Sequence, residues 1–256
     1  MTNLPAHLVG FNIQFANHNR ARAVRVRHDH DVALALRALG LSELYPTIFL
    51  SGGASNMSDN DRRLVEIMVA TIAEFAEQQE AIIVDGGTEA GIMNMIGEVR
   101  QERRYRFPLL GISPLGKISF PGYHNKMSDA TLEDSHSHFI LVDGDEWGME
   151  SEFILSTVSV LRGEDRLPGI GILVNGGKIA MQEVYLASTT TRRLPVIILE
   201  GSGRLADEIS TAIRTGTASQ LIIQAIVQGG DIQLVSTTDG PEKLRARLIQ
   251  KFSRVS

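Results

Sequence analysis

Four apolar runs in this sequence end directly in glycine-rich turns. Glycine allows the backbone to approach a ligand closely and to take positive φ, and the free N–H groups at the start of a following helix favour phosphate. A single such turn is also explained by a tight strand-to-helix connection, but four at one edge of a sheet predict a phosphorylated ligand. The four turns are LSGGAS (50–55), VDGGTEAG (84–91), LVNGGK (173–178) and LEGSGR (199–204).

Arg204 is the strongest phosphate ligand in these turns, because it closes GSGR where a helix is expected to begin. Its guanidinium can donate to two phosphate oxygens at once. Lys178 follows Gly177 in a similar but weaker arrangement. Three hydroxyl residues in the same turns either donate to the ligand or cap the helices: Ser51, Thr88 and Ser202.

Several classes of function are excluded. The P-loop pattern G-x-x-x-x-G-K-[ST] is absent, and no G-x-G-x-x-G follows the first strand, so kinase and ordinary dinucleotide redox functions are not supported. A net charge of −5 does not indicate a nucleic-acid surface. The absence of cysteine excludes disulfides and thiolate chemistry.

Acids and histidines are concentrated in residues 133–152. His136 and His138 are two apart and would share one face of a strand, but no third ligand stands at convincing spacing, so we predict no metal site. We expect one histidine to orient a loop and the other to be exposed. Asp143, Asp145 and Glu146 either bind a ribose hydroxyl, bind a divalent ion or form a solvated turn. Trp147 either stacks on a base or packs internally.

The apolar runs alternate with segments of helical periodicity. Runs without polar alternation are typical of strands buried on both faces. They span residues 47–50, 81–85, 108–113, 138–143, 169–174 and 195–200. We therefore predict an α/β fold: a Rossmann-like, doubly wound, mainly parallel sheet flanked by helices on both faces.

Local features complete this prediction. Residues 24–27 and 231–235 are interpreted as edge strands, and a last helix is expected over Glu242–Phe252. A helix between Asp61 and Gln79 would be capped by Asp59 and would bury the face of Leu64, Met68, Ile72 and Phe75. Residues 28–31 are interpreted as caps. No Pro, Gly or Ser-rich linker is present, so we predict one domain over 1–256 with residues 1–21 as an N-terminal extension.

The beginning of the sequence lacks the basic start and apolar core of a secretory signal. The longest apolar runs are too short to span a bilayer. We expect a cytoplasmic protein that does not insert directly into a membrane.

The sequence resembles the N-terminal homology region of the melastatin-type TRP channels, which belongs to the SLOG superfamily of Rossmann-like nucleotide sensors. The resemblance runs from about Arg22 to Phe252, and it is carried most specifically by SHSHFILVD (135–143) and EGSGRLADEI (200–209). TIFLSGGASNM (47–57) and AIIVDGGTEAGIMNMIGEV (81–99) occur in the same order. The chain looks like a prokaryotic relative of that region, separate from any channel.

This resemblance implies binding of ADP-ribose or related products of NAD breakdown. The residues implied to line the site are Ser51, Gly52, Gly53, Asn56, Gly86, Gly87, Thr88, Gly91, Gly176, Gly177, Lys178, Gly201, Ser202, Gly203 and Arg204. Helix starts would hold the diphosphate, and Arg204 would contact a phosphate. No cofactor is expected beyond this nucleotide, and we expect a homo-oligomer or an effector partner.

The same superfamily contains the LONELY GUY-type phosphoribohydrolases, whose PGGxGTxxE motif carries a catalytic glutamate. The corresponding run here is NGGKIAMQE (175–183), in which Glu183 falls in place. Asn175, Ile179 and Ala180 stand where that motif has proline, glycine and threonine, so the phosphate cradle departs from it. Glu183 is either a catalytic residue of a nucleotide N-glycosidase or a solvent-facing helix residue, and the sensor is the preferred interpretation.

Overall fold

The computed structural model describes residues 4–27, 31–54, 56–189 and 194–252. The strands are β1 (Phe11–Gln14), β2 (Arg20–Val26), β3 (Thr47–Gly52), β4 (Ile82–Asp85), β5 (Leu109–Pro114), β6 (Ile118–Ser119), β7 (Ala130–Thr131), β8 (His138–Val142), β9 (Gly169–Val174), β10 (Val196–Glu200) and β11 (Ile232–Ser236). The helices are α1 (Val32–Leu39), α2 (Asp59–Gln78), α3 (Gly91–Glu102), α4 (Ser151–Leu161), α5 (Lys178–Thr189), α6 (Arg204–Thr215), α7 (Leu221–Gly229) and α8 (Pro241–Phe252).

Within the described ranges, nine of these strands form one sheet in the order β1-β2-β8-β5-β4-β3-β9-β10-β11. The β1–β2 pair is antiparallel and the other pairs are parallel. From β3 the chain adds β4, β5 and β8 on one side, then returns to place β9, β10 and β11 on the other. The strand order therefore reverses between β3 and β9, and ligands of open α/β sheets bind beyond the carboxyl ends at such a reversal.

Helices cover both faces of the sheet. Helices α1, α4, α5, α6 and α7 pack on one face, where their core includes Phe49, Phe153 and Ile209. Helices α2, α3 and α8 cover the other, where Leu50, Met68 and Leu244 are buried. Phe49 and Leu50 face opposite layers because successive strand side chains alternate. The predicted doubly wound fold is confirmed.

Helix α2 begins one position earlier than its predicted cap implied. Ser58 caps it and accepts a hydrogen bond from the backbone N–H of Asp61, so the prediction of Asp59 as the cap is wrong. Asp59 lies in the first turn, where a carboxylate still faces the positive end of the helix dipole. The buried face includes Val65 as well as Met68, Ile72 and Phe75, whereas Leu64 is only partly buried.

One of the two predicted edge strands lies at an edge of the sheet, and the other does not. The strand at residues 232–236 does lie at an edge. Strand β2 does not, because β1 pairs with its outer side at residues 11–14, inside the range interpreted as an N-terminal extension. The signal was weak since β1 has only four residues.

Asp31 caps α1 by accepting a hydrogen bond from the backbone N–H of Ala33, as predicted. The rest of that prediction, at residues 28–30, lies outside the described residues. In the part of the chain that is described, no helix is both long enough and apolar enough to cross a membrane.

Two glycines meet where the loop after β4 crosses β5. A Cβ atom on Gly111 would lie 2.5 Å from the Cα of Gly87 and 2.9 Å from the ring of Phe139. The loop can rest on β5 only because Gly111 has no side chain.

We expect Gly111→Ala to lower the free energy of unfolding by about 1–3 kcal/mol, the usual cost of overpacking a closed core. Urea unfolding measures this change. Gly53→Ala is the matched control, because its Cβ would meet nothing within 4 Å. Equal stability of the two variants would contradict the predicted clash.

Candidate functional site

The four glycine turns follow four adjacent strands of the sheet, β4, β3, β9 and β10. Their carboxyl ends lie at one edge because these strands are parallel. Six glycines in these turns have positive φ: Gly52, Gly87, Gly91, Gly176, Gly201 and Gly203. The four turns that carry most of the residues implied by the resemblance therefore lie side by side along this edge of the sheet. We call the edge formed by residues 50–54, 84–91, 173–178 and 199–204 the rim.

The loop after β3 is held against the end of β9. A Cβ on Gly52 would lie 1.9 Å from the carbonyl oxygen of Val174, and the N–H of Gly53 donates to the same oxygen at 3.1 Å. Asn56 further along this loop is exposed and has φ of 59°. Backbone therefore fills the space at the strand reversal and leaves no room for a side chain at position 52.

Asn175 joins the loop after β9 to the loop after β10. Its backbone N–H donates to Ser202 Oγ at 2.7 Å, and its Nδ2 donates to the carbonyl oxygen of Ser202 at 2.8 Å. Ser202 Oγ in turn donates to the carbonyl of Leu199. The Ser202 hydroxyl is thus engaged within the protein, where it holds the two loops together.

Arg204 lies on the outer side of this pair of loops. It is the exposed first residue of α6, and its guanidinium crosses Gly177 so closely that a Cβ there would lie 2.7 Å from Nη2. The exposed Lys178 begins α5 beside it. Two helix starts and two cations therefore converge on one surface, an arrangement that favours an anion.

On the other side of β3, the β4 loop approaches the β3 loop. A Cβ on Gly91 would lie 2.8 Å from the backbone nitrogen of Ala54. Beside this contact is an open cleft of about 480 Å³ lined by Ala54, Arg62, Glu89, Gly91 and Asn94. The hydroxyl of Thr88 is buried and points at the sulfur of Met93, 3.6 Å away.

Glu183 is buried beneath the strand reversal, so the alternative of a solvent-facing helix residue is wrong. Only 8% of its surface is exposed, and its Oε2 accepts a hydrogen bond from Ser51 Oγ. Burial raises the pKa of Glu183 to about 8, and the Ser51 bond opposes this while the charges of Glu150 and Asp85 add to it. Glu183 is therefore mostly protonated at neutral pH.

A buried ionic network lies at the end of β4. His136 Nε2 is 2.9 Å from Asp85 Oδ1, and its Nδ1 is 2.6 Å from Glu133 Oε2. Burial alone would lower the pKa of His136, but the two carboxylates outweigh it and raise the pKa to about 9. The imidazole is thus charged and donates to both acids, and it stacks on Phe139 with ring centroids 5.4 Å apart.

The sequence did not reveal this network. Asp85 was hidden in the glycine motif VDGGTEAG, and Glu133 and His136 were seen only as part of an acid-rich and histidine-rich segment. The expectation that one histidine orients a loop agrees with His136, since it ties Asp85 to residues 133–136. The expectation of an exposed second histidine is wrong: His138 is partly buried, and burial followed by the charges of Arg100 and Arg22 lowers its pKa to about 4.

The other polar candidates of this segment lie away from the reversal. Asp143 pairs with Arg25 at 2.6 Å, and Trp147 donates to Asp129 from the edge of an apolar cluster. Among the described residues, no group of three or more His, Asp or Glu side chains is arranged to hold a metal ion.

Comparison with known proteins identifies the class to which this fold and rim belong. The family model described as "SLOG in TRPM, prokaryote" matches residues 45–246. Because the match covers most of the chain, the chain belongs to this family, and the resemblance found in the sequence is confirmed.

Several curated relatives of this chain are named as transient receptor potential channels. A Transient receptor potential cation channel subfamily M member-like 2 of Nematostella vectensis is 25% identical over 93% of this chain and 17% of its own length. Subfamily M member 2 of Mus musculus is 26% identical over 71% of this chain and 14% of its own length. The chain therefore spans less than a fifth of either relative.

The charge on His136 predicts how stability depends on pH. Its pKa is raised from about 6.5 in the unfolded chain to about 9 in the fold. The stabilisation is therefore fully present below pH 6.5 or so and is lost as the pH rises through about 9. Urea unfolding across this range should show wild-type stability falling more steeply than that of His136→Gln.

NMR titration of the His136 ring nitrogens tests the same point without a variant. We expect both nitrogens to remain protonated at pH values near 8. Titration close to the ordinary histidine pKa of about 6.5 would contradict the ionic network.

Proposed function

We propose that this chain is a nucleotide-sensing domain that binds ADP-ribose or a related NAD-derived nucleotide at the carboxyl edge of β4, β3, β9 and β10. The observation that carries the proposal is the position of Arg204 against Gly177, where α5 and α6 begin together. A guanidinium beside two helix starts is suited to a diphosphate, because it supplies directed donors and positive charge at one place.

The space on both sides of the reversal is in keeping with an extended ligand. The open cleft beside Ala54 and Gly91 has a volume of about 480 Å³, within the range of roughly 300–1,000 Å³ usual for small-molecule sites. The phosphates would lie against Arg204 and Lys178, and the rest of the nucleotide would extend over the β3 loop towards this cleft.

A sensor must pass its bound state to something else. In the relatives, the matching segment is a small part of a protein named as a cation channel. This supports a role in which ligand binding is transmitted to an effector partner or to other copies of the chain. Transmission requires two states between which the ligand discriminates.

Arg204→Ala should weaken ADP-ribose binding by about 10- to 100-fold, the loss expected when charged hydrogen bonds worth about 1.5–3 kcal/mol are removed. Isothermal titration calorimetry measures the change. Arg166→Ala is the control, because Arg166 is also exposed but precedes β9 at the opposite edge of the sheet. Equal affinities of wild type and Arg204→Ala would remove the proposed phosphate contact.

A second candidate function is hydrolysis of a nucleotide N-glycosidic bond, and the burial of Glu183 favours it specifically. A carboxyl that keeps its proton at neutral pH is suited to donate that proton to a departing base. Against it, the NGGKIAMQE run departs from the hydrolase motif at Asn175, Ile179 and Ala180.

We expect intact nucleotide to be recovered after prolonged incubation of ADP-ribose or nucleoside monophosphates with the protein. Chromatography of the mixture detects any free base or ribose phosphate. Glu183→Gln keeps the acceptor for Ser51 but cannot transfer a proton. Base release by wild type that this variant abolishes would replace the sensor with the hydrolase.

A further inference from the structure

Only one of the two carboxylate oxygens of Asp85 accepts hydrogen bonds. Its Oδ1 accepts from the N–H of Gly87 at 2.7 Å and from His136 Nε2 at 2.9 Å. Its Oδ2 is buried and has no hydrogen-bond partner. A buried carboxylate oxygen without a donor is costly, and this one lies at the end of β4, directly before one of the four glycine turns.

The surroundings of Asp85 hold its carboxylate in one orientation. The imidazolium of His136 stands against Oδ1, and Glu133 holds the other ring nitrogen in place. Glu133 is itself fixed by the N–H of Ser135 at 3.0 Å and by its close approach to Gly97 of α3. Oδ2 is therefore an acceptor with a fixed direction, and it requires a hydrogen-bond donor.

The chemistry of a nucleotide restricts which of its parts can meet this oxygen. Phosphate oxygens carry negative charge and would be repelled, whereas ribose hydroxyls are donors. A carboxylate that accepts a hydrogen bond from the 2′-hydroxyl is a usual way for an α/β nucleotide site to hold a ribose. Asp85 ends β4, the strand next to β3 and on the side away from Arg204.

We propose that Asp85 accepts hydrogen bonds from ribose hydroxyls of the bound nucleotide, and so places the sugar on the β4 side of β3 and the phosphates on the α5–α6 side. The proposal rests on the nucleotide-binding function proposed above and adds the side chain that receives the sugar and a requirement for a ribose 2′-hydroxyl. Because Oδ2 is buried in this fold, binding of the sugar requires a local rearrangement beside Asp85.

The test is a calorimetric comparison of ADP-ribose with analogues that each lack one 2′-hydroxyl, on the adenosine ribose or on the terminal ribose. Wild type should bind one of the two deoxy analogues about 10-fold or more weakly than ADP-ribose, as expected for the loss of a hydrogen bond to a charged group. Asp85→Asn should bind ADP-ribose with a similar loss and should no longer distinguish it from that analogue.

Asp134→Asn is the matched control, because it removes a neighbouring, partly buried carboxylate whose Oδ1 is within hydrogen-bond distance of the Ser135 hydroxyl. It should keep both the affinity and the discrimination of wild type. Thermal unfolding confirms that each variant is folded. If Asp85→Asn does not fold, amide exchange of Gly86 and Gly87 in wild type decides instead, since protection by ADP-ribose should exceed protection by the discriminated analogue.

The outcomes separate this inference from the proposed function. Wild-type binding of ADP-ribose with no loss for either deoxy analogue overturns the role of Asp85 while leaving the nucleotide site intact. If Asp85→Asn still binds ADP-ribose more tightly than the deoxy analogue, the role of Asp85 is overturned as well, and the sugar is held by another residue. A wild type that binds none of the three compounds overturns the proposed function itself.

Discussion

Between β3 and β9 the sheet reverses its strand order, so the helices that follow these strands, α2 and α5, pack on opposite faces. A gap opens between two such helices in any doubly wound sheet. Here the gap is partly closed from within, because Gly52 and Gly53 press their backbone against Val174 and Ser51 donates to Glu183 below. What remains is a shallow rim of loops, with a buried acid as its floor.

The charges around this rim are divided. Lys178 and Arg204 stand exposed where α5 and α6 begin, whereas the acids Asp85 and Glu183 are buried on the β4 side and beneath the reversal. Glu183 is mostly neutral near pH 7 because of its burial, whereas Asp85 contacts the charged imidazole of His136. A ligand with anionic and hydroxylic ends would meet a different partner at each end.

The sequence predicted what depends on local pattern. Uninterrupted apolar runs identified the parallel strands, and glycines directly after positions 51, 85, 175 and 200 identified the rim. Strand ends and tight turns could be predicted because they are properties of a few consecutive residues. It could not predict the link between Asp85 and His136, which are 51 positions apart and meet only when β4 and the segment before β8 are both folded. Nor could it decide the environment of Glu183, since a lone acid on a helix has the same local signature whether it faces water or the sheet.

Asn175 illustrates a different limit. In the sequence it stood out only as a departure from the proline of a hydrolase motif, yet in the fold it is fully buried in the left-handed conformation at φ of 57° and is bonded to the neighbouring loop. Backbone conformations of this kind are favoured for asparagine among non-glycine residues. One of the three residues that weaken the resemblance to the hydrolases therefore joins the loops after β9 and β10.

The Asn175–Ser202 link also has a mechanical consequence. It joins the starts of α5 and α6, and α7 packs against both helices, so the three form a single stiff block on one face of the sheet. A movement of Arg204 would therefore move the three helices together instead of bending one loop. A displacement of Arg204 would be carried to the outer surface of α7, where Leu221 is 84% exposed.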